Sequence, residues 1–263
     1  MESFPYIQKL NNIRRELIKN SNLPAPSWVR ITTITMCSKF LEDIDLPKFR
    51  ENFKKLETVY VRPKGSKARG FAWKMKDTAF YNQVTIGYED HSSRKSIKLF
   101  PNGSIQVAGC ADLFDCRRIL KQLSFILKVV LGKDTNVPVD EVSVKMINTN
   151  FSLNSSVNLL KIIAKLSKGQ FKVTFDPDRY SAVKVKFVPK PGQKQVTASI
   201  FSTGKIIVTG AQTLDEIAEA YSILNQNLRD PAILIKPVAQ PELFDTIMGA
   251  TFEEWDRVLA NKI

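Results

Sequence analysis

Apolar and polar residues alternate with period two over several short runs of the chain, and each run is bounded by turn residues. In one stretch Val84, Ile86 and Tyr88 oppose Thr85 and Gly87. Ile97 and Leu99 then oppose Ser96, Lys98 and Phe100, and Ile105 and Val107 oppose Ser104, Gln106 and Ala108. About a hundred residues later the pattern returns. Val183, Val185 and Phe187 face away from Lys184 and Lys186. Val196, Ala198 and Ile200 face away from Thr197, Ser199 and Phe201. Ile206 and Val208 face away from Lys205, Ile207 and Thr209. Successive strand side chains point to opposite faces, so each group predicts an antiparallel sheet with one apolar face. Runs with 3.6-residue spacing predict helices over Phe114–Leu131 and Thr213–Leu228, the latter opened by a Thr213/Glu216 capping box.

The recurrence is an internal repeat. Phe100-Pro101-Asn102-Gly103-Ser104-Ile105-Gln106-Val107-Ala108-Gly109-Cys110 aligns with Phe201-Ser202-Thr203-Gly204-Lys205-Ile206-Ile207-Val208-Thr209-Gly210-Ala211. Upstream, Asp77-Thr78-Ala79-Phe80-Tyr81 aligns with Asp176-Pro177-Asp178-Arg179-Tyr180. Further back, β-rich Ile31–Met36 and Val142–Ile147 each precede a short amphipathic helix: Lys48–Leu56, and Val157–Leu166 opened by Ser155 and Ser156. The order strand, helix, strands, hairpin, strand, helix therefore occurs twice. Helices covering one face of an antiparallel sheet give an α+β class. The open face would carry Lys, Ser, Thr and Gln with two symmetric aromatic pairs, Tyr81 with Phe100 and Tyr180 with Phe201. Phe80 replaces Tyr81 if the register slips. Apolar rings on a cationic sheet suit insertion between base steps of a nucleic acid.

Charge points the same way. Thirty-nine Lys and Arg against 26 Asp and Glu leave a formal +13, which suits a polyanionic partner. The three cysteines, Cys37, Cys110 and Cys116, show no C-x-x-C spacing, so neither a disulfide framework nor a zinc site is expected. The single histidine, His91, falls in a turn-like Glu89-Asp90-His91-Ser92-Ser93 and supports no histidine-based triad. No catalytic residue, metal or cofactor is expected. The acidic opening Met1-Glu2-Ser3-Phe4-Pro5 has no apolar run, and no stretch reaches the ~20 apolar residues of a membrane helix. An intracellular protein with no membrane partner is expected.

These residues resemble the TATA-box-binding protein family. The resemblance covers about 28–230 and is stronger in the second copy, where Phe201 to Ala211 and Asp176 to Tyr180 look like the family's core strand and its upstream turn. Its divergence is most similar to the TATA-binding-like proteins of large DNA viruses, including the asfarvirus type. The resemblance implies a saddle-shaped antiparallel sheet of two tandem repeats, with helices on the convex face and the concave face on the minor groove of double-stranded DNA. It implies intercalation by Tyr81, Phe100, Tyr180 and Phe201. DNA contacts would come from Thr85, Lys98, Gln106, Asn148 (or Asn150), Lys184, Lys186, Thr197, Ser199, Lys205, Ile207 and Thr209. The implied partners are a TFIIB-like factor and RNA polymerase, with one copy on the DNA. The implied location is a cytoplasmic viral factory and the virion if the source is viral, and otherwise the nucleus. A scaffold of the same fold with weak DNA binding is the alternative function.

Several positions depart from the family pattern. Ala108 stands where a groove-reading threonine is expected in the first copy, Gln106 replaces an apolar residue, and Cys37 takes an asparagine's place. Lys98, Ser96, Thr197 and Ser199 replace aliphatic groove-packing residues. Binding is therefore expected to be more salt-dependent and less selective for TATA sequence than the family norm.

The predicted organisation is an N-terminal helical extension (1–27), repeat 1 (28–135), repeat 2 (136–230) and a C-terminal extension (231–263). Ile7, Leu10, Ile13 and Leu17 predict a helix over Tyr6–Lys19. Thr251 is expected to cap a last helix bearing Trp255, Val258 and Leu259. These extensions either pack on the convex helices or recruit a partner. The basic stretch 54–76, with Pro63, Gly65 and Gly70, reads as a loop or hairpin that either grips flanking phosphate or is simply solvated.

Overall fold

Two Gly-closed hairpins, each followed by a long amphipathic helix, organise the chain. The computed structural model describes residues 5–19, 21–55, 59–61, 71–76, 81–89, 94–237, 246–247 and 250–251. Helix α1 (Pro5–Ile18) precedes β1 (Arg30–Lys39), α2 (Leu46–Lys55), β2 (Val59–Val61) and β3 (Phe71–Lys76). The first hairpin and its helix follow: β4 (Val84–Glu89), β5 (Arg94–Leu99), β6 (Ser104–Cys110) and α3 (Leu113–Leu131). The second copy has β7 (Ser143–Ser152), β8 (Ser155–Val157), α4 (Leu159–Leu166), β9 (Lys172–Asp176), β10 (Tyr180–Phe187), β11 (Val196–Ile200), β12 (Lys205–Ala211) and α5 (Leu214–Leu228). Beyond it lie β13 (Leu234–Pro237), β14 (Thr246–Ile247) and β15 (Ala250–Thr251).

The chain forms two units. The first comprises Ile31–Thr149 and Thr209–Leu214, and the second comprises Met1–Arg30, Asn150–Val208 and Asp215–Ile263. In the first, the strand order is β2-β3-β4-β5-β6-β1-β7. The described pairs are antiparallel, with Val84 opposite Leu99, Leu99 opposite Ile105 and Met36 opposite Val107. The apolar face holds Met36, Trp73, Ile86, Tyr88, Ile97, Leu99 and Val107, and α2 and α3 bury it with Phe49, Phe53, Ile119, Leu123 and Leu127. Each such side chain contributes about 1.5–3 kcal/mol by leaving water. Helix α3 begins where the Asp112 carboxylate accepts the Asp115 amide and ends at Gly132 in the left-handed region.

In the second unit the order is β12-β11-β10-β9. Val183 pairs with Ile200 and Val185 with Ala198, and their face is buried with Ile206, Val208, Ile217, Leu224 and Leu228. Since Val84 pairs with Leu99 and Val183 with Ile200, the β10–β11 hairpin is two residues longer than its counterpart. Helix α1 lies on α5. Lys9 ion-pairs with Asp215 and Glu219, Arg229 donates to the Leu17 carbonyl, and the Tyr221 hydroxyl donates to the Ser27 carbonyl at 2.9 Å.

One expectation changes. Ser155 and Ser156 do not open a helix: Ser155–Val157 is a strand paired with β13, and the Asn158 side chain caps α4 by accepting the Lys161 amide. An available edge partner outweighs the weak helical preference of Ser-Ser-Val. Thr251 pairs with Thr246 in a two-stranded ribbon, and the last helix it is expected to cap lies outside the described residues. Of the two readings of the basic stretch 54–76, loop or hairpin, the antiparallel pairing of Val59 with Trp73 gives the hairpin. Among the described residues no helix is long and apolar enough to cross a membrane.

Candidate nucleic-acid interface

The face of each sheet opposite the helices carries the candidate residues. In the second unit the register sets Lys184 against Ser199 and Thr174, and Lys186 against Thr197 and Lys172. Lys184, Lys186 and Lys205 are exposed, and Ile207 is 36% exposed beside buried Ile206 and Val208. At the end of this face Tyr180 meets Phe201 edge to face, with ring centroids 5.8 Å apart and planes at 70°. Lys184 Nζ lies 4.8 Å from the Tyr180 ring centroid. Beside Tyr180, an open pocket of about 360 Å³ is lined by Thr174, Phe175, Asp176, Arg179, Tyr180, Ala182 and Lys184. The sequence-predicted Tyr180, Phe201, Lys184, Lys186, Thr197, Ser199, Lys205 and Ile207 thus share one face of this unit.

The glycine after each aromatic fixes that ring's strand end. Gly103 and Gly204 both sit at φ +77. The Phe100 and Phe201 amides donate to Ser104 and Lys205 carbonyls at 2.9 and 3.0 Å, and the two turns close alike. A side chain at either glycine would collide with backbone: a Cβ on Gly103 would stand 2.4 Å from the Phe40 carbonyl oxygen, and one on Gly204 1.9 Å from that of Ser155.

The first unit reaches a related but altered face. Thr85 pairs with Lys98, Lys98 with Gln106, and Gln106 with Cys37. Lys98, Gln106 and Phe100 are half-exposed. Thr85 lies on this face as expected, yet it is only 7% exposed, and its hydroxyl has no hydrogen-bond partner among the described residues. Its availability as a contact is thereby corrected: a short β-branched side chain between two lysine-bearing strands is buried by its neighbours. The expected Tyr81–Phe100 ring pair is corrected too. Among the described residues Tyr81 makes no ring contact with Phe100, and it is 92% exposed. Tyr81 lies in a turn ahead of β4, where Arg50 of α2 donates to the Tyr81 and Gln83 carbonyls, at 3.1 and 2.8 Å. Phe80, the alternative, lies outside the described residues.

Asn148 is half-buried; its amide donates to Thr33 Oγ1 at 3.0 Å, and its Oδ1 has no hydrogen-bond partner among the described residues. The Phe40 amide donates to the Gly103 carbonyl and the Leu153 amide to that of Gly204, so Thr35 corresponds to Asn148 and Cys37 to Asn150. Thr209 is half-exposed.

Lys74 and Lys76 belong to the basic stretch 54–76 that the sequence offers for gripping phosphate. They alternate with Trp73 and Met75 in β3 and pair with Gly87 and Thr85 on the open face. The Lys76 Cε would lie 3.1 Å from a Cβ on Gly87, so the glycine provides the groove in which that side chain rests. The period-two signal in Ala72-Trp73-Lys74-Met75-Lys76 was sufficient to place them on a strand. Sequence reasoning missed Lys172, Thr174 and Arg179. Buried Lys95 is a different kind of cation. Its side chain is 1% exposed and ion-pairs with Asp115 at 3.0 Å. Burial pushes the Asp115 carboxyl up, but the Ala111 amide, Arg118 and Lys95 together hold it below the usual carboxylate range. Among the described residues no cluster of three His, Cys, Asp or Glu is placed to hold a metal.

Comparison with known proteins bears on the same region. Residues 141–230 match the family model described as transcription factor TFIID (or TATA-binding protein, TBP). A TATA-box-binding protein-like protein of Acanthamoeba polyphaga mimivirus is 29% identical across 76% of this chain and 65% of its own length. The TATA-box-binding protein of Methanothrix thermoacetophila is 25% identical across 56% of this chain and 76% of its own. Among solved structures, Methanococcus jannaschii TBP matches 76% of this chain and 96% of its own at a TM-score of 0.52 and 14% identity. That likeness shows the fold: α+β, of the TATA-box-binding protein type.

Proposed function

We propose that this chain is a divergent, non-catalytic member of the TATA-box-binding protein family, from a large DNA virus, that binds double-stranded DNA through its lysine-bearing sheet faces. The observation that carries the reading is the Tyr180–Phe201 pair, with Tyr180 exposed and Phe201 half-buried, at the end of a cationic strand face with Lys184 against it. Apolar rings standing clear of the helices can enter a base step and kink the duplex, while the surrounding lysines draw in phosphates. The similarity to a mimivirus TATA-box-binding protein-like protein supports the viral source. In this reading Phe100 and Tyr81 act at the first unit, one copy occupies the DNA, and a TFIIB-like factor and RNA polymerase are recruited, in a cytoplasmic viral factory and the virion.

The test is duplex binding with a fluorescence-based bending readout. Wild type should bind and bend. A Phe100→Ala, Phe201→Ala variant should lose bending and weaken by about tenfold or more, as removal of base-stacking rings does. An unbent duplex with wild type would overturn the wedge reading. A second reading, a scaffold with weak DNA binding, draws on Ala108 and Cys37 in place of a groove-reading threonine and asparagine. It predicts only non-specific retention in gel shifts, with A·T-rich and G·C-rich competitors equally effective.

A further inference from the structure

Tyr180 has room to move. Its side chain is on the open face, it is 37% exposed, and one flank opens on the pocket of about 360 Å³. Two contacts select one placement from those available: the edge-to-face approach of Phe201 and the Lys184 ammonium above the ring. The strand is irregular between Tyr180 and Lys184 where it pairs with β9, which lets these two residues of β10 converge.

The first unit lacks this cation at the corresponding position. Lys184 faces Ser199 across the hairpin, whereas Thr85 faces Lys98. The lysine has changed strands, and the residue in the place of Lys184 is neutral and buried.

We propose that Lys184 is a positioning residue for the Tyr180–Phe201 wedge, acting on base opening as well as on charge attraction, while Lys98 acts through attraction alone. The inference rests on the DNA-binding reading above. An ammonium seated on the ring restrains Tyr180 alongside Phe201, so the wedge is assembled before the nucleic acid arrives.

The experiment uses the full chain and an A·T-rich duplex carrying 2-aminopurine at both ends of the site. Wild type should raise the fluorescence on binding. At saturating protein Lys184→Met should lose at least half of that rise, and its log–log salt slope should fall by about one. Lys184→Arg, which keeps a cation on the ring, should restore the rise. Lys98→Met should lose the slope and keep the rise. A full rise with Lys184→Met, or equal loss in both methionine variants, overturns the assignment. No rise from wild type overturns the DNA wedge and this role of Lys184 together, whereas a wild-type rise that survives Lys184→Met overturns only the latter. A measurement without DNA addresses the lock itself. The Lys184 ε-methylene protons should resonate upfield in the free chain and return to ordinary values in Tyr180→Leu; ordinary values in wild type overturn the lock.

Discussion

Replacing Gly204 by alanine isolates what the turn geometry contributes. An L-residue at φ +77 costs about 1–2 kcal/mol in left-handed strain, partly offset by about 0.4–1 kcal/mol of lost unfolded-state freedom. The added Cβ would stand 1.9 Å from the Ser155 carbonyl oxygen, so β8 or the turn must shift by more than an ångström. Forcing such a shift costs about 1–3 kcal/mol as overpacking. It also strains two hydrogen bonds, Leu153 amide to Gly204 carbonyl at 3.0 Å and Val157 amide to Ser202 carbonyl at 2.8 Å. Each contributes about 1 kcal/mol net. The expected loss is about 4 kcal/mol, or roughly 10 °C in Tm at this chain length. Gly192 is the internal control. It has φ +82, but a Cβ there meets nothing within 4 Å. Gly192→Ala should therefore cost about 1 kcal/mol from strain alone. Thermal melts followed by circular dichroism compare the two. Equal shifts would refute the claim that close approach to β8, and not backbone strain, dictates glycine after Phe201.

Three further outcomes are expected. Asp115→Ala leaves the Lys95 ammonium buried without its carboxylate and should cost about 3–5 kcal/mol in denaturant titration. Because the folded-state pKa of Asp115 is depressed, its contribution to stability is present above its unfolded value and is lost as pH falls through the folded one; Asp115→Asn should flatten the acid limb of Tm against pH. Burial pushes the Tyr221 phenol up to about 12 from an ordinary 10, so its contribution holds below the unfolded value and fades as pH rises through the folded one; Tyr221→Phe should flatten the alkaline limb. Lys186→Met should weaken duplex binding equally for A·T-rich and G·C-rich sequences and lower the salt slope by about one, measured by fluorescence anisotropy.

The repeat was legible because its punctuation is chemical. Gly103 and Gly204 answer to both a positive φ and a backbone contact, so the turn they close is written into the sequence twice. The open faces were legible through alternation, which placed Lys184, Lys186, Ser199 and Thr197 together before any register was known. What alternation cannot express is reach from another element. Arg50 lies over thirty residues before the carbonyls it binds, and it ties the Tyr81 turn to α2. Thr85 follows the polar pattern of its strand but is shielded by neighbours contributed from β3 and β5. Ser155–Val157 resembles a helix start until β13, some eighty residues on, supplies a partner strand. Lys95 falls on the apolar face by its position in β5, and only the arrival of Asp115 from α3 explains a lysine there.

The two additional residues of the β10–β11 hairpin have a practical corollary. They were absorbed at the connection between Phe187 and Val196, at the opposite end of the hairpin from the aromatic rings, and Gly192 within it borders open space. A hairpin that has already accepted a change of length there should tolerate a small reporter grafted beside Gly192. Such a dye would sit at the loop end of the hairpin, where Lys190 and Gln193 meet α5, without displacing the rings it is meant to report on, giving a handle for single-molecule measurements.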